Sequence, residues 1–580
     1  MRGCVVSIES LFLSPVYLPM LGAALILVTK HFFTDRQRRA VEYLSALIAF
    51  IIPLIAFIFL IKPVLAHHQV HMILGTWETT LGIHYHFDGL SFLLITINLL
   101  VSIPVWLYSR KTGPHQETFT VIFLIQSASI AATSLTADLF NLFVCLEVMG
   151  VTSYVLVASS EKNKAILSSF TYLLFSATAM VFFLIGTFGL YRISGSLAYD
   201  TIAQAKNMLS GSDLLVARLS LVLIVVSVLL RTAVIPLSGW LVGAHSNAPH
   251  AVSALLSGVL IKIPLFALVR LLLLVTGTEL LGSILAWAGG ISTLLGILLA
   301  LREHHAKRLL AYSSVSQIGY IVTAYGLALA SGIETEEGAL LLALSLLYAF
   351  SHALAKATLF MTVGRACDAV GSKDLHVARG ALSALRAQGE RFPITGIAYL
   401  VAFLSISALP PTIGFWGKNT LVYLSKGHGS TYFLSITSVL TIVVYLKLSG
   451  IFLPKKAQEV QKVEPSSTAL TSLSLIFLTI LLLAGGLWYT DLQTFVVQVL
   501  SPLGATNATL TSYSALQDLL KTGFTTTIAL LFFIIGSKTR VERRFEARRE
   551  STASFPNLFF GFALMVAVMA WWLLFPGEAL

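Results

Sequence analysis

Seven ionisable residues sit inside otherwise apolar stretches of this 580-residue chain: Glu147, Arg231, Lys262, Arg270, Lys356, Lys418 and Lys447. An ionised side chain at the centre of a bilayer costs roughly 2.5–3.5 kcal/mol on insertion scales. That cost is bearable for seven groups only if most are paired or hydrated. Pairing is the structural reading, and conduction of protons or other small cations is the functional one. The two are compatible, because a proton relay is a chain of partners whose proton affinities can be adjusted.

Glu147 lies in DLFNLFVCLEVMGVTSYVL, well inside a helix predicted to begin near Asp138. A carboxyl group's proton affinity rises on burial and falls beside a cation, so moving a cation near Glu147 would switch it. Lys262, in VSALLSGVLIKIPLFALVR, is similarly deep, and a desolvated lysine can exchange protons. Arg270 follows nearer the end of the same span and reads as a pairing or snorkelling residue. His352 and Lys356 are four apart in SHALAKATLF, which puts them on one helical face. Histidine titrates near neutral pH, which suits a hydrated relay. Lys418 follows a helix break and is expected to face a water-filled half-channel, while Lys447 carries fewer cues.

The other histidines are weaker candidates. His245 and His250 (AHSNAPH) fall at a helix junction, where a cap or loop role is expected. His304 and His305 precede Lys307 in a connection expected to be solvated. His67, His68 and His71 form a trio that could bind metal, but a solvated loop is the simpler expectation. Cys4, Cys145 and Cys367 are far apart with no CxxC pair, which argues against disulfides, iron–sulfur ligation and structural zinc. Neither a GxGxxG fingerprint nor a P-loop is present, so no catalytic residue, redox centre or cofactor is expected in this chain.

The elements that position these groups are membrane helices. The chain is 56% hydrophobic and 11% charged, against about 25% charged for an average soluble protein. Its mean hydropathy is +0.85. Apolar runs of roughly 20 residues, the span of a bilayer core, recur throughout, as at Ser10–Thr29, Leu90–Tyr108, Ala165–Tyr191, Leu214–Leu230, Leu340–Met361 and Phe555–Phe575. The expected fold is an all-α membrane protein with about 16 transmembrane helices. Acidic Glu9 precedes the first run with no basic stretch or small-residue cleavage site, so that run reads as a membrane helix and not a signal peptide.

Net charge is +11, and roughly two thirds of the 38 basic residues fall on alternate connections. This positive-inside pattern places the N-terminus outside and makes nucleic acid an improbable partner. The longest polar stretches, His67–Phe87, Arg192–Asp213, Arg365–Arg391 and Asp491–Lys521, are each expected to be a surface loop with an amphipathic helix. The basic run Lys538–Glu550 reads as an anchoring loop.

Two spans are interrupted. In LLRTAVIPLSGWLVG (Leu229–Gly243), Pro236, Gly239 and Gly243 follow a charge; in SISALPPTIGFWGKNTLVY (Ser405–Tyr423), Pro410, Pro411, Gly414 and Gly417 precede one. Backbone freed by proline at membrane depth survives only against protein or water. Paired broken helices in corresponding halves are a pointer to an ion site. The expected organisation is residues 1–117 as three N-terminal helices, 118–278 and 279–455 as two inverted five-helix repeats, and 456–580 as C-terminal helices.

AHSNAPHAVSALLSGVLIK, KRLLAYSSVSQIGY, SHALAKATLF, ALPPTIGFWGKN and FDGLSFLL resemble the antiporter-like membrane subunits shared by respiratory complex I, membrane-bound hydrogenases and Mrp-type cation/proton antiporters. The similarity runs from about residue 87 to 450. It implies two inverted five-helix repeats and a central hydrophilic axis through Glu147, Arg231, Lys262, Lys356 with His352, and Lys418. Arg231 departs from the lysine usual at its position, and arginine is effectively never deprotonated. Lysine at 418 is similar to the pattern of the D-type Mrp subunits and of the terminal complex I subunit.

The resemblance implies a proton-translocating subunit of a multisubunit cation/proton antiporter or complex-I-like pump in a prokaryotic plasma membrane. Its partners would be other membrane subunits, lipid, protons and Na+ or K+. The alternatives are a proton-pumping subunit of a hydrogenase or quinone oxidoreductase, and a subunit coupled to inorganic carbon uptake.

Overall fold

A computed structural model describes residues 11–30, 32–74, 82–205, 210–273, 279–454, 469–501 and 515–538. Helices α1 (Ser14–Thr29) and α2 (Asp35–Leu65) precede a hairpin, β1 (Val70–Leu74) with β2 (Ile83–Phe87). Then come α3 (Gly89–Thr112), α4 (Glu117–Leu135), α5 (Leu139–Ala158), α6 (Asn163–Ser194) and short α7 (Tyr199–Ala205). The first broken span is α8 (Gly211–Thr232) with α9 (Gly239–Asn247). Next is α10 (His250–Leu255), continued through a π-helical turn at Leu256–Leu260 into α11 (Ile263–Leu273). Helices α12 (Glu279–Arg302), α13 (Ala306–Ala330), α14 (Glu336–Val370) and short α15 (Ala381–Ala387) follow. The second broken span is α16 (Ile394–Ile406) with α17 (Ile413–Leu424). The described chain ends with α18 (Thr431–Ser449), α19 (Ala469–Leu487), amphipathic α20 (Tyr489–Leu500) and α21 (Ala515–Lys538).

The chain is an almost wholly helical, multi-pass membrane protein. Among the described residues twelve helices are long and apolar enough to cross a bilayer, and α1 and α16 are shorter apolar helices. The expected count of about 16 is therefore not reached within them. The expected span Phe555–Phe575, nearly all of the basic run Lys538–Glu550, Glu9, Cys4 and the boundary at 455/456 lie outside the described residues.

One expectation is corrected. The described residues of His67–Phe87 contain no amphipathic helix; they form an antiparallel hairpin pairing Val70 with Phe87 and Leu74 with Ile83. IHYHF alternates histidine with aliphatic and aromatic residues, and VHMIL is a short, mostly apolar run with β-branched Val70 and Ile73, which suits partly buried strands.

Burial separates the helices by role. The span from His250 to Leu272 is wholly buried and α14 nearly so, whereas α2, α6 and α19 present large apolar faces outward. The most intimate packing joins α12 to α13 along small residues. A Cβ at Gly289 would lie 2.5 Å from Thr323 N, one at Gly296 2.7 Å from Ser316 N, and one at Gly326 2.4 Å from Ala286 N. Without a hydrophobic drive between helices in lipid, such backbone proximity supplies the packing energy.

The two helix breaks are built alike. Each begins at an alanine in the left-handed region, Ala233 (φ 59) and Ala408 (φ 57). Each continues with a proline three residues on (Pro236, Pro411) and a glycine three further (Gly239, Gly414) that sits in the restarting helix. At the first break Trp240 Nε1 donates to Leu230 O at 2.9 Å, a second donor to a carbonyl that also accepts from Ala233 N at 3.1 Å. At the second, Gly414 packs so closely on Ser405 O that a Cβ would fall 1.9 Å from it.

Candidate functional site

Asp138 starts α5 by accepting from Asn141 N at 2.7 Å, and two turns later the helix carries Glu147. The Glu147 side chain is 34% exposed on the lateral face of the chain, while its partner Arg231, in the last turn of α8, is buried. Both terminal nitrogens of the guanidinium are engaged: Nη2 donates to Glu147 Oε1 at 2.6 Å and Nη1 to Leu146 O at 2.7 Å, while the buried Nε has no partner among the described residues. Gly150 makes this approach feasible, since a Cβ there would lie 3.2 Å from Arg231 Nη1.

Lys262 follows the π-helical turn, and that turn explains its surroundings. The changed backbone register frees carbonyls, and Lys262 Nζ donates to Ser257 O at 2.6 Å and Gly258 O at 2.7 Å. The Ser257 hydroxyl meets that of Ser314 on α13 at 2.8 Å, linking the two helices beside the ammonium.

On α14, His352 is fully buried and neither ring nitrogen has a hydrogen-bond partner among the described residues. One turn on, Lys356 Nζ donates to Leu310 O and Ser313 Oγ at 3.0 Å each and to Tyr445 Oη at 2.9 Å. On α17, Lys418 is equally buried, and its ammonium has no hydrogen-bond partner among the described residues. It lies 4.4 Å over the ring of Tyr320, a cation–π contact, and the Tyr320 hydroxyl donates to Leu434 O at 2.5 Å. Tyr348 donates to Gln317, whose amide donates to Thr441 Oγ1 at 3.3 Å, so polar groups also line the α13–α14–α18 interior.

The charges therefore divide into two kinds. Arg231 pairs with Glu147, and Arg270 pairs with Asp88 at 2.6 Å. Among the described residues no carboxylate lies within 4.0 Å of Lys262, Lys356 or Lys418. Three buried ammonium groups held by neutral oxygens or a ring face are costly as permanent ions. The same surroundings suit groups that give up and regain a proton.

Several residues lie elsewhere than the sequence suggested. Lys307 is not solvated: it is fully buried and donates to Ala248 O at 2.5 Å. Its place in the first turn of α13, where a cation opposes the helix dipole, was the readable signal that something else holds it. His250 contacts Asp368 at 2.9 Å across to α14, and its ring lies where a Gly364 Cβ would come within 2.3 Å. His245 is buried, stacked on Phe360 at 4.7 Å, with both ring nitrogens unpartnered.

His305 caps α13 by accepting from Arg308 N at 3.4 Å. Burial, reinforced by Lys373, Lys307 and Arg308, lowers its pKa to about 4. His304 stacks on His376 at 4.3 Å. Asp88 caps α3 through Ser91 N. Burial pushes its carboxyl up, but Arg270 and His86 more than offset this and hold it below the usual range. Lys447 donates to Leu301 O at 3.0 Å.

The candidate metal trio is not gathered. His71 stacks on His86 at 3.9 Å, His67 meets Ser501 at 3.3 Å, and among the described residues no three potential ligands converge.

A polytopic helical bundle with broken helices and an interior row of ionisable groups defines a class of ion-moving membrane subunits, and comparison with known proteins gives the family. The family model described as NADH:quinone oxidoreductase/Mrp antiporter, transmembrane, matches residues 136–444. The N subunit of the NADH-quinone oxidoreductase of Desulforudis audaxviator is 32% identical over 386 residues, covering 64% of this chain and 73% of that protein. The D subunit of the Na(+)/H(+) antiporter of Alkalihalophilus pseudofirmus is 24% identical over 489 residues, covering 82% of this chain and 94% of its own length. Among solved structures, a chain of the archaeal membrane-bound sulfane sulfur reductase has a TM-score of 0.73 at 23% identity, covering 84% of this chain and 97% of that one. A chain of the Mrp complex of a Dietzia species has a TM-score of 0.73 at 22% identity, with 86% and 98% covered. The chain belongs to the NADH:quinone oxidoreductase/Mrp antiporter family of membrane subunits.

Proposed function

We propose that this chain translocates protons as one membrane subunit of a multisubunit cation/proton antiporter or complex-I-like pump. The path is the row Glu147, Arg231, Lys262, His352, Lys356 and Lys418. The observation that carries this reading is the set of three buried lysines, none with a carboxylate within 4.0 Å among the described residues. Pairing accounts for the two deep arginines, and it does not account for the lysines. A lysine that cycles between ammonium and amine bears its charge only part of the time, which lowers the burial cost.

Arg231 acts by electrostatics: it stabilises the Glu147 carboxylate when close and releases it when the guanidinium withdraws. Residues 118–278 and 279–455 are the two repeats, and the like-built breaks at Ala233 and Ala408 support that division. The basic connections face the cytoplasm of a prokaryotic cell, the N-terminus lies outside, and other membrane subunits cover lateral faces such as that around Glu147. The transported partner ion is Na+ or K+.

A second reading, a proton-pumping subunit of a respiratory enzyme, is favoured by the 32% identity to an NADH-quinone oxidoreductase subunit. One experiment separates the two. The chain is expressed with its native partners in inverted vesicles, and a pH-sensitive dye is followed after adding sodium, potassium or a reductant. Acidification or alkalinisation on adding a cation alone supports the antiporter. A response only to reductant, with copurifying flavin or metal-cluster subunits, supports the enzyme. No response to any of them contradicts proton translocation.

A further inference from the structure

Helix α21 brings a second carboxyl group to the Lys418 end of the row, and its surroundings are not those of a structural residue. Asp518 lies in the first turns of α21 and is 4% exposed. Its Oδ1 faces Lys521 Nζ at 3.7 Å, and its Oδ2 is buried with no hydrogen-bond partner among the described residues. A carboxylate serving as a helix cap accepts backbone N–H groups; this oxygen accepts none.

The α21 register against α17 fixes the level of Asp518. Asn419, the residue after Lys418, donates to Thr522 Oγ1 at 3.3 Å, and Lys521 Nζ lies 5.7 Å over the ring of Tyr423. The helices run antiparallel, so Asp518 stands one turn beyond Asn419, toward the connection 425–430 and away from the basic connection 365–391. Lys426 covers the same tyrosine ring at 4.3 Å. Among the described residues the charged groups acting on Asp518 are Lys521 on its own helix and Lys426 from the connection, and both lie over the Tyr423 ring of α17. The Lys521 side chain is 53% exposed, so the cluster reaches the protein surface at this end of α21.

We propose that Asp518 is the proton-exchanging terminus of the Lys418 branch, on the membrane face opposite the basic connections. This rests on the axial reading of Lys418 given above. In the outward direction a proton leaves the Lys418 ammonium, which becomes the neutral amine. Water carries it across the intervening turn, and it adds to the Asp518 carboxylate at Oδ2. The carboxylic acid then releases it to bulk water beside Lys521, restoring the carboxylate; uptake is the reverse. Lys521 and Lys426 stabilise the ionised form between transfers.

The test uses the complete complex with its native partners in vesicles, with assembly checked by copurification. Asp518→Asn is expected to lower proton flux at least tenfold and to remove one limb of its pH profile. Asp518→Glu is expected to restore most of the flux with that limb displaced. Unchanged flux and profile in Asp518→Asn would overturn the proposal, and so would a lost flux that Asp518→Glu does not restore. If Asp518→Asn does not assemble, Lys521→Gln replaces it. A displaced limb then supports the proposal and an unmoved one overturns it. Lys418→Gln distinguishes the levels: flux retained there removes the axial reading itself. Flux lost there but kept in Asp518→Asn removes this inference alone.

Discussion

Replacing Arg231 by lysine separates two things that arginine does at once. The guanidinium holds Leu146 O and Glu147 Oε1 at 2.7 and 2.6 Å through different nitrogens, a planar fork that the point-charge ammonium of lysine does not reproduce. Lysine that retains the ion pair loses a hydrogen bond to a neutral carbonyl, costing about 0.5–1.5 kcal/mol of stability. Against this, reference deprotonation at pH 7 takes at least ~7 kcal/mol for arginine and ~4.6 kcal/mol for lysine. The neutral form thus becomes about a hundredfold more accessible. Proton flux in vesicles containing the assembled complex is therefore expected to be unchanged or increased, with a slightly lower unfolding temperature in detergent. Arg231→Met is the contrasting control, because it leaves Glu147 unpaired. Breaking a buried pair costs roughly 3–5 kcal/mol, and the 34% exposure of Glu147 puts the expected loss at or below the low end. A complete loss of flux in Arg231→Lys, with assembly intact, would refute the reasoning, since it would show that the guanidinium itself is required.

Three further outcomes follow from the same contacts. Tyr445→Phe removes one of three acceptors from Lys356, a charge-assisted bond worth about 1.5–3 kcal/mol, and is expected to lower flux about tenfold; unchanged flux would show that Tyr445 does not position the lysine. Gly319→Ala places a Cβ 2.5 Å from Gly289 O and Thr293 N, both backbone atoms, so α12 and α13 must separate. An expected cost of about 1–3 kcal/mol can be read as a lower unfolding temperature. For His305 the folded pKa of about 4 lies below the ordinary 6.5. The unfolded chain therefore takes up the proton first, and stability falls as pH drops from about 6.5 to 4, by up to ~3 kcal/mol. His305→Asn keeps a capping side chain and is expected to flatten that part of the stability profile.

Apolar runs and isolated charges made most of the fold readable. The expected span Ala165–Tyr191 lies within α6 at Asn163–Ser194, and Leu90–Tyr108 within α3 at Gly89–Thr112, because span length and bilayer thickness constrain each other. Both helix breaks were visible as proline and glycine near a charge. Contacts that depend on tertiary register were not legible in the same way. The π-helical turn before Lys262 leaves no compositional trace, so the lysine's donation to its own helix was invisible. Lys307 reads as a loop cation until α9 and α10 close over it and supply Ala248 O. The hairpin at Val70–Phe87 was missed because five-residue strands are too short to compete with a helix-dominated pattern.

The central claim is that protons travel along the row from Glu147 to Lys418. Glu147→Ala and Lys418→Ala remove its two ends, which lie on different helices and share no hydrogen bond. The direct measurement is proton flux in inverted vesicles carrying the complex with its native partners, comparing each variant with wild type at equal assembly. Each substitution alone is expected to lower flux at least tenfold. Wild-type flux in both would contradict it.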